Sequence, residues 1–296
     1  MREVLADYLR RRYRPSVARS YGNHVRQYTE TVREPERALY TDVLAYVELL
    51  RGRGLHAKSL RNHLTAIKAY YAWLQEVSVR EDHPCARLRL RDPVDRRVQL
   101  DGLYSSEVLA EWLAGEWLEE GVRDRRRRQV AAGLLVHQAL LSGELVRLEV
   151  SDIDLEAGTV YVTGGGKTSS RQLALKASQV LELDAYIKGE RRRLRKLGPA
   201  DGPHGSKSNR LLLTNTGRAV HTATLQKLVN VGLEKPAWLR PLKVRQSVIA
   251  QLLEDGHDVR VVQAFAGHAT ATATEQYRRS GLEELSAAVR KLHPRG

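Results

Sequence analysis

Between Leu239 and Tyr277 the chain reads LRPLKVRQSVIAQLLEDGHDVRVVQAFAGHATATATEQY, a stretch with an arginine, a Gly-His pair and a tyrosine at set intervals. Arg245 stands in a short basic cluster at the head of an amphipathic segment. His268 follows 23 residues later, directly after Gly267, and Tyr277 lies 9 residues beyond it. A guanidinium is a fixed cationic donor, an imidazole holds or moves a proton near neutral pH, and a phenol is a hydroxyl nucleophile. Phosphoryl transfer onto a protein hydroxyl needs such a set, because its transition state gathers negative charge that preorganised cations must meet. Each group by itself is ordinary: a tyrosine on a terminal helix usually packs, and a Gly-His pair alone says little.

The elements that must hold these groups are readable upstream and downstream of them. Ser105 to Trp117 opens with a Ser-Ser-Glu helix-start signal, and Gln129 to Leu148 is apolar enough to be one long core helix. Thr159 to Thr163 and Arg171 to Leu175 alternate as short strands around the turn Gly164-Gly165-Gly166-Lys167, with Arg210 to Thr214 as a third strand. Lys188 to Lys207 reads as a basic helix end and an exposed Gly, Pro and Ser loop. Helices dominate after Thr222, and Leu282 to Leu292 forms a last amphipathic helix beyond Gly281.

Taken together, this order of motifs resembles the tyrosine recombinases, the family of phage integrases and Xer-type chromosome-dimer resolvases. Gln138-Ala139-Leu140-Leu141-Ser142-Gly143-Glu144-Leu145, followed by Ser151-Asp152-Ile153-Asp154, aligns without gaps with the family's Thr-Gly-Leu-Arg box. Glu144 and the Ser-Asp-Ile-Asp turn match, while Leu141 stands where the family keeps its first arginine. The box that commonly reads His-x-Leu-Arg-His is here Leu242-Lys243-Val244-Arg245-Gln246, so Arg245 is kept and Leu242 replaces a histidine. His268 and Tyr277 match fully. The family's hairpin lysine falls on glycine in the simplest alignment; Lys167, two residues away, either substitutes for it or is an ordinary hairpin-tip lysine.

The resemblance implies catalytic roles for Tyr277 as nucleophile, Arg245 and His268 as phosphate-side donors and Lys167 as acid, with no cofactor and no metal. It also implies an enzyme fold stripped of two or three of its catalytic groups. Removing one preorganised donor costs ~10² to 10³ in rate, so the expectation is a DNA-binding, catalytically impaired homologue in recombination or integration. The rival expectation is a working recombinase that forms a 3′-phosphotyrosyl link through Tyr277 with help from His137, Lys167 or Lys243. A third is a regulatory DNA-binding protein that keeps Tyr277 only as packing.

Composition agrees with a polyanionic partner. The 296 residues hold 49 Lys and Arg against 35 Asp and Glu, a net charge of +14, and such a field attracts nucleic acid. Residues 1–98 carry 20 of those basic residues against 12 acidic ones, which makes them the more densely basic part. No apolar run is long enough for a membrane span, and the first residues have no signal-peptide core. The one cysteine excludes an internal disulfide and a cysteine-rich zinc site. A reducing cytoplasm, with the protein on the nucleoid, is the simplest setting.

The fold expected is mainly α with a small antiparallel sheet. An all-helical core-binding domain over 1–83 is joined by an arginine-rich linker over 84–103 to a larger helical catalytic-type domain over 104–296. Four N-terminal helices are expected: Glu3 to Tyr13, Ser16 to Thr31, Thr41 to Arg51 and Ala57 to Leu74. In the last, Leu60, Leu64, Ile67, Tyr71 and Leu74 make an apolar stripe, and Lys58, Arg61, Thr65 and Lys68 a second, cationic one. That second stripe, with Lys243, is the expected nucleic-acid contact. By resemblance the two domains close around duplex DNA. The partners are then double-stranded DNA and either further copies of the chain or an active recombinase, with the tail helix docked on a neighbour.

Overall fold

The computed structural model describes residues 2–93, 98, 100, 102–116, 125–166, 168–200 and 207–278. Lys167 and the helix expected over 282–292 lie outside them. The chain divides into two compact units, Met1–Arg96 and Arg97–Gly296.

Among the described residues the regular elements of the first unit are all helices: α1 (Arg2–Arg12), α2 (Pro15–Thr31), α3 (Tyr40–Gly52) and α4 (Ala57–Glu76). The start of α2 is marked by Pro15, whose missing N–H costs nothing in a first turn. The expected apolar stripe of α4 is buried, from Leu60 to Leu74, and packs against Tyr28 of α2. The Tyr28 and Tyr71 hydroxyls meet at 2.6 Å inside this core, which satisfies both polar ends of two buried rings. Parts of the expected linker are described on either side. Cys85 and Leu88 are buried in this core, and Val98, Leu100 and Leu103 pack on a hydrophobic cluster of the second unit.

In the second unit α5 (Ser106–Ala114) begins where the Ser-Ser-Glu signal puts it, with the Ser105 hydroxyl accepting from the Val108 N–H. The long apolar helix is shorter than expected. α6 (Arg125–His137) stops at His137, and a separate turn, α7 (Ser142–Leu145), follows. The break is local: Ala139 sits at φ +47, a left-handed conformation that ends a helix. Glu144 then caps α7 by accepting the Leu141 N–H at 2.9 Å.

The sheet is a three-stranded antiparallel meander, β1 (Ile153–Asp154), β2 (Thr159–Val162) and β3 (Arg171–Ala174), with Val160 opposite Leu173 and Val162 opposite Arg171. The third strand is β1, not Arg210 to Thr214. Arg210 and Leu213 make only isolated bridges, to Glu149 and Ala219. Helices α8 (Ala177–Ala185) and α9 (Arg192–Leu197) are joined by a π-helical turn, Tyr186–Arg191. Then come α10 (Thr222–Val229), α11 (Pro241–Glu254), α12 (Val259–Ala266) and α13 (Ala271–Glu275). Among the described residues no helix is long and apolar enough to cross a membrane.

Candidate active site

Arg245 lies on the inner face of α11 and is almost wholly buried. Its Nη1 donates to the Ala139 carbonyl and its Nη2 to the Ala266 carbonyl, both at 2.5 Å. The strained Ala139 turn and the end of α12 therefore clamp the guanidinium from two sides. Burial pulls its pKa down to about 10, so it stays cationic at neutral pH.

Helix α12 starts on the Asp258 carboxylate, which accepts from the Arg260 N–H at 2.7 Å. It ends at Gly267, whose φ of +68 is the left-handed cap that glycine supplies without strain. This turn presents His268 next to Arg245. The His268 Nδ1 is hydrogen-bonded to the Thr274 hydroxyl at 2.9 Å, and its ring stacks on Tyr277 with centroids 5.8 Å apart. Burial first, then the cations Arg245 and Arg171, push the His268 pKa down to about 4. At neutral pH it is an uncharged imidazole. Tyr277 is buried too, and burial raises its pKa, while Arg245 and a hydrogen bond with Gln246 pull the other way. Three of the expected catalytic residues thus share one buried neighbourhood.

The hairpin between β2 and β3 joins them there. Thr168 pairs with His268 as an isolated β-bridge, and the Ser169 N–H donates to the Gly267 carbonyl at 2.8 Å. The Thr168 hydroxyl donates to Glu144 at 2.9 Å. Lys167 itself is outside the described residues, but its chain neighbour is anchored on His268.

Arg171 opens β3, and in the sequence it is marked only as the start of a strand. It and Leu173 face inward while Gln172 and Ala174 face out, so the period of two puts its guanidinium inside. It forms a two-pronged ion pair with Glu144, Nη1 to Oε1 at 2.9 Å and Nη2 to Oε2 at 3.0 Å. Its Nε donates to the Phe265 carbonyl at 2.8 Å. An arginine at an inward strand position is the signal that could have found it. Burial raises the Glu144 pKa, but Arg171 and the Leu141 N–H more than offset that and hold the carboxyl below its ordinary value.

The substituted positions are also placed. Leu141 is the half-buried cap residue of α7, and Leu242 is 57% exposed, so the two are not both sealed in the core. His137 has Lys176 as its charged neighbour, and burial lowers its pKa. Lys243 points elsewhere, with its Nζ 5.1 Å from the centre of the Tyr104 ring. In the first unit the Arg61 guanidinium donates to the Asp92 carbonyl at 2.7 Å and the Lys68 ammonium to the Ala86 carbonyl at 2.8 Å. Thr65 turns back onto its own helix, to the Arg61 carbonyl, and Lys58 is exposed. Among the described residues no three His, Cys, Asp or Glu side chains converge as metal ligands.

Comparison with known proteins places this geometry. The model of the phage integrase family matches residues 116–284, and that of its N-terminal SAM-like domain matches residues 5–76. The tyrosine recombinase XerC of Pelotomaculum thermopropionicum is 28% identical over 256 residues, covering 84% of this chain and 79% of the relative. The fold is also that of the XerH site-specific recombinase in its post-cleavage complex with palindromic difH substrate (TM-score 0.65, 19% identity, 92% of this chain and 79% of that one). The Tn1549 transposon integrase in complex with transposon right end DNA is similar over 98% of both chains, at TM-score 0.62 and 16% identity. With both domain models matched in order along it, the chain belongs to the phage integrase family, the tyrosine recombinases.

Proposed function

We propose that this protein binds duplex DNA and acts in DNA recombination or integration with a catalytic centre impaired by substitution. The observation that carries this reading is the buried cluster of Arg245, His268 and Tyr277, in a chain that has leucine at positions 141 and 242. By family resemblance those two positions carry an arginine and a histidine. The loss of a preorganised donor costs ~10² to 10³ in rate, about 2.7 to 4 kcal/mol. Apolar side chains next to a phosphate also desolvate it without offering a partner. On this reading the protein occupies or bridges recombination sites in the cytoplasm, on the nucleoid, as a homo-oligomer or beside an active recombinase.

A second reading is favoured by one observation: Thr168, which follows Lys167 in the sequence, is bridged to His268. Lys167 then serves as the acid for the leaving 5′-oxygen, and the protein is a slow but working recombinase. A library of nicked suicide duplexes with randomised core sequence separates the two, because a covalent 3′-phosphotyrosyl adduct accumulates on any site that is cut. The first reading expects adducts at the level of the Tyr277→Phe control. Adducts well above that control, lost on Lys167→Ala, would establish the second.

A further inference from the structure

Glu144 is a buried carboxylate in the middle of a site that must accept an anion. Two guanidinium groups flank it unequally. Arg171 grips it with both prongs, at 2.9 and 3.0 Å, whereas the nearest nitrogen of Arg245 is 4.0 Å away. The donors of Arg171 are largely committed, to Glu144, to the Phe265 carbonyl and, at 3.4 Å, to the Ser169 carbonyl. Those of Arg245 are not. Apart from the two carbonyls that clamp it, its Nε and the second hydrogens of both Nη atoms have no acceptor among the described residues.

We propose that Arg171 is a positioning residue that takes up the charge of Glu144 and so leaves Arg245 free to receive a phosphate. This rests on the reading that the site holds a DNA phosphate. The physical reason is a charge count in a medium where charges are poorly screened. Glu144, Arg171 and Arg245 sum to one positive charge, which matches the single negative charge of a phosphodiester; His268 adds none at neutral pH. Without Arg171 the sum is zero, Glu144 closes on Arg245, and an incoming phosphate leaves a net negative charge buried. This division of labour has particular weight here because Leu141, three residues before Glu144, offers the carboxylate no side-chain partner of its own.

The test uses inorganic phosphate as probe, with binding read from the imidazole resonances of His268, assigned through His268→Gln. The full-length protein is compared with Arg171→Met, Glu144→Gln and the double variant, which swaps the ion pair for a neutral pair of similar shape. Affinity is expected to follow the charge count. Arg171→Met binds about tenfold or more weakly, Glu144→Gln about tenfold more tightly, and the double variant within about threefold of the unmodified protein. If Arg171→Met does not fold, the other two variants still decide. A double variant far weaker than the unmodified protein would mean that Arg171 itself touches the anion, and Glu144→Gln binding no tighter would mean that the carboxylate does not compete; either overturns the proposal. No response of His268 in the unmodified protein would instead overturn the phosphate-site reading beneath it.

Discussion

At the scale of single residues, burial decides what each titratable group can do. His268 and, in the first unit, His63 both have their pKa pushed down to about 4, His63 by burial and then by the His24 ring, tilted against it with centroids 3.9 Å apart. A folded-state value below the ordinary 6.5 means that the unfolded chain takes up protons first as pH falls. Their contribution is therefore complete above pH 6.5 and is lost between pH 6.5 and 4, on the order of 3 kcal/mol for His63. Replacing His63 by Gln should flatten the fall in melting temperature across that window; an unchanged slope would remove His63 as a cause. The proposed impairment is also a residue-scale matter. Leu242 is exposed, so Leu242→His should leave stability within about 0.5 kcal/mol. Combined with Leu141→Arg, it should raise suicide-substrate cleavage by at least tenfold, since each restored donor is worth ~10² to 10³. A folded double variant with no gain would show that the site has drifted beyond these positions.

At the scale of elements, the site exists because a hairpin is docked on a helix cap. Gly267 closes α12 in the left-handed conformation, and a Cβ there would lie 2.7 Å from Arg171 Nη1 and 2.9 Å from the Ser169 carbonyl. Gly267→Ala should therefore cost at least 1–2 kcal/mol, from backbone strain and from the clash. It should also release the Ser169 N–H, now bonded to the Gly267 carbonyl, to hydrogen exchange. If that amide keeps its protection, the hairpin is held by other contacts. Glu144 ties α7 to the same hairpin through Thr168 and Arg171. Removing it by Glu144→Ala strands a buried guanidinium, an effect of about 3–5 kcal/mol that a denaturant melt would report.

At the scale of the whole molecule the excess of positive charge is the dominant feature. A net +14 should make DNA affinity fall steeply with salt, with log K losing about 0.9 per log unit of salt for each phosphate neutralised. The basic stripe of α4 is not uniform in this respect. Arg61 and Lys68 hold down the chain at Asp92 and Ala86, so reversing them disturbs packing as well as charge. Lys58 is exposed and is the cleaner probe: Lys58→Glu should lower the salt slope by about one phosphate with the melting temperature unchanged. An unaltered slope would take this end of α4 off the DNA.

Local signals were enough to read the helical N-terminal unit, the strands β2 and β3, and the positions of Arg245, His268 and Tyr277. Periodicity and caps are short-range and are written in neighbouring residues, as in the Leu60 to Leu74 stripe and the Ser105 cap. The order of Glu144, Arg245, His268 and Tyr277 likewise determined the family. Tertiary contacts decided the rest. The apolar run through Leu148 looks helical at every step, yet Ala139 is turned left-handed and its carbonyl is spent on Arg245, 106 residues away in the chain. Arg171 looks like any strand arginine until the docked hairpin brings it to Glu144, because a buried ion pair is specified by the meeting of two distant segments and not by either one.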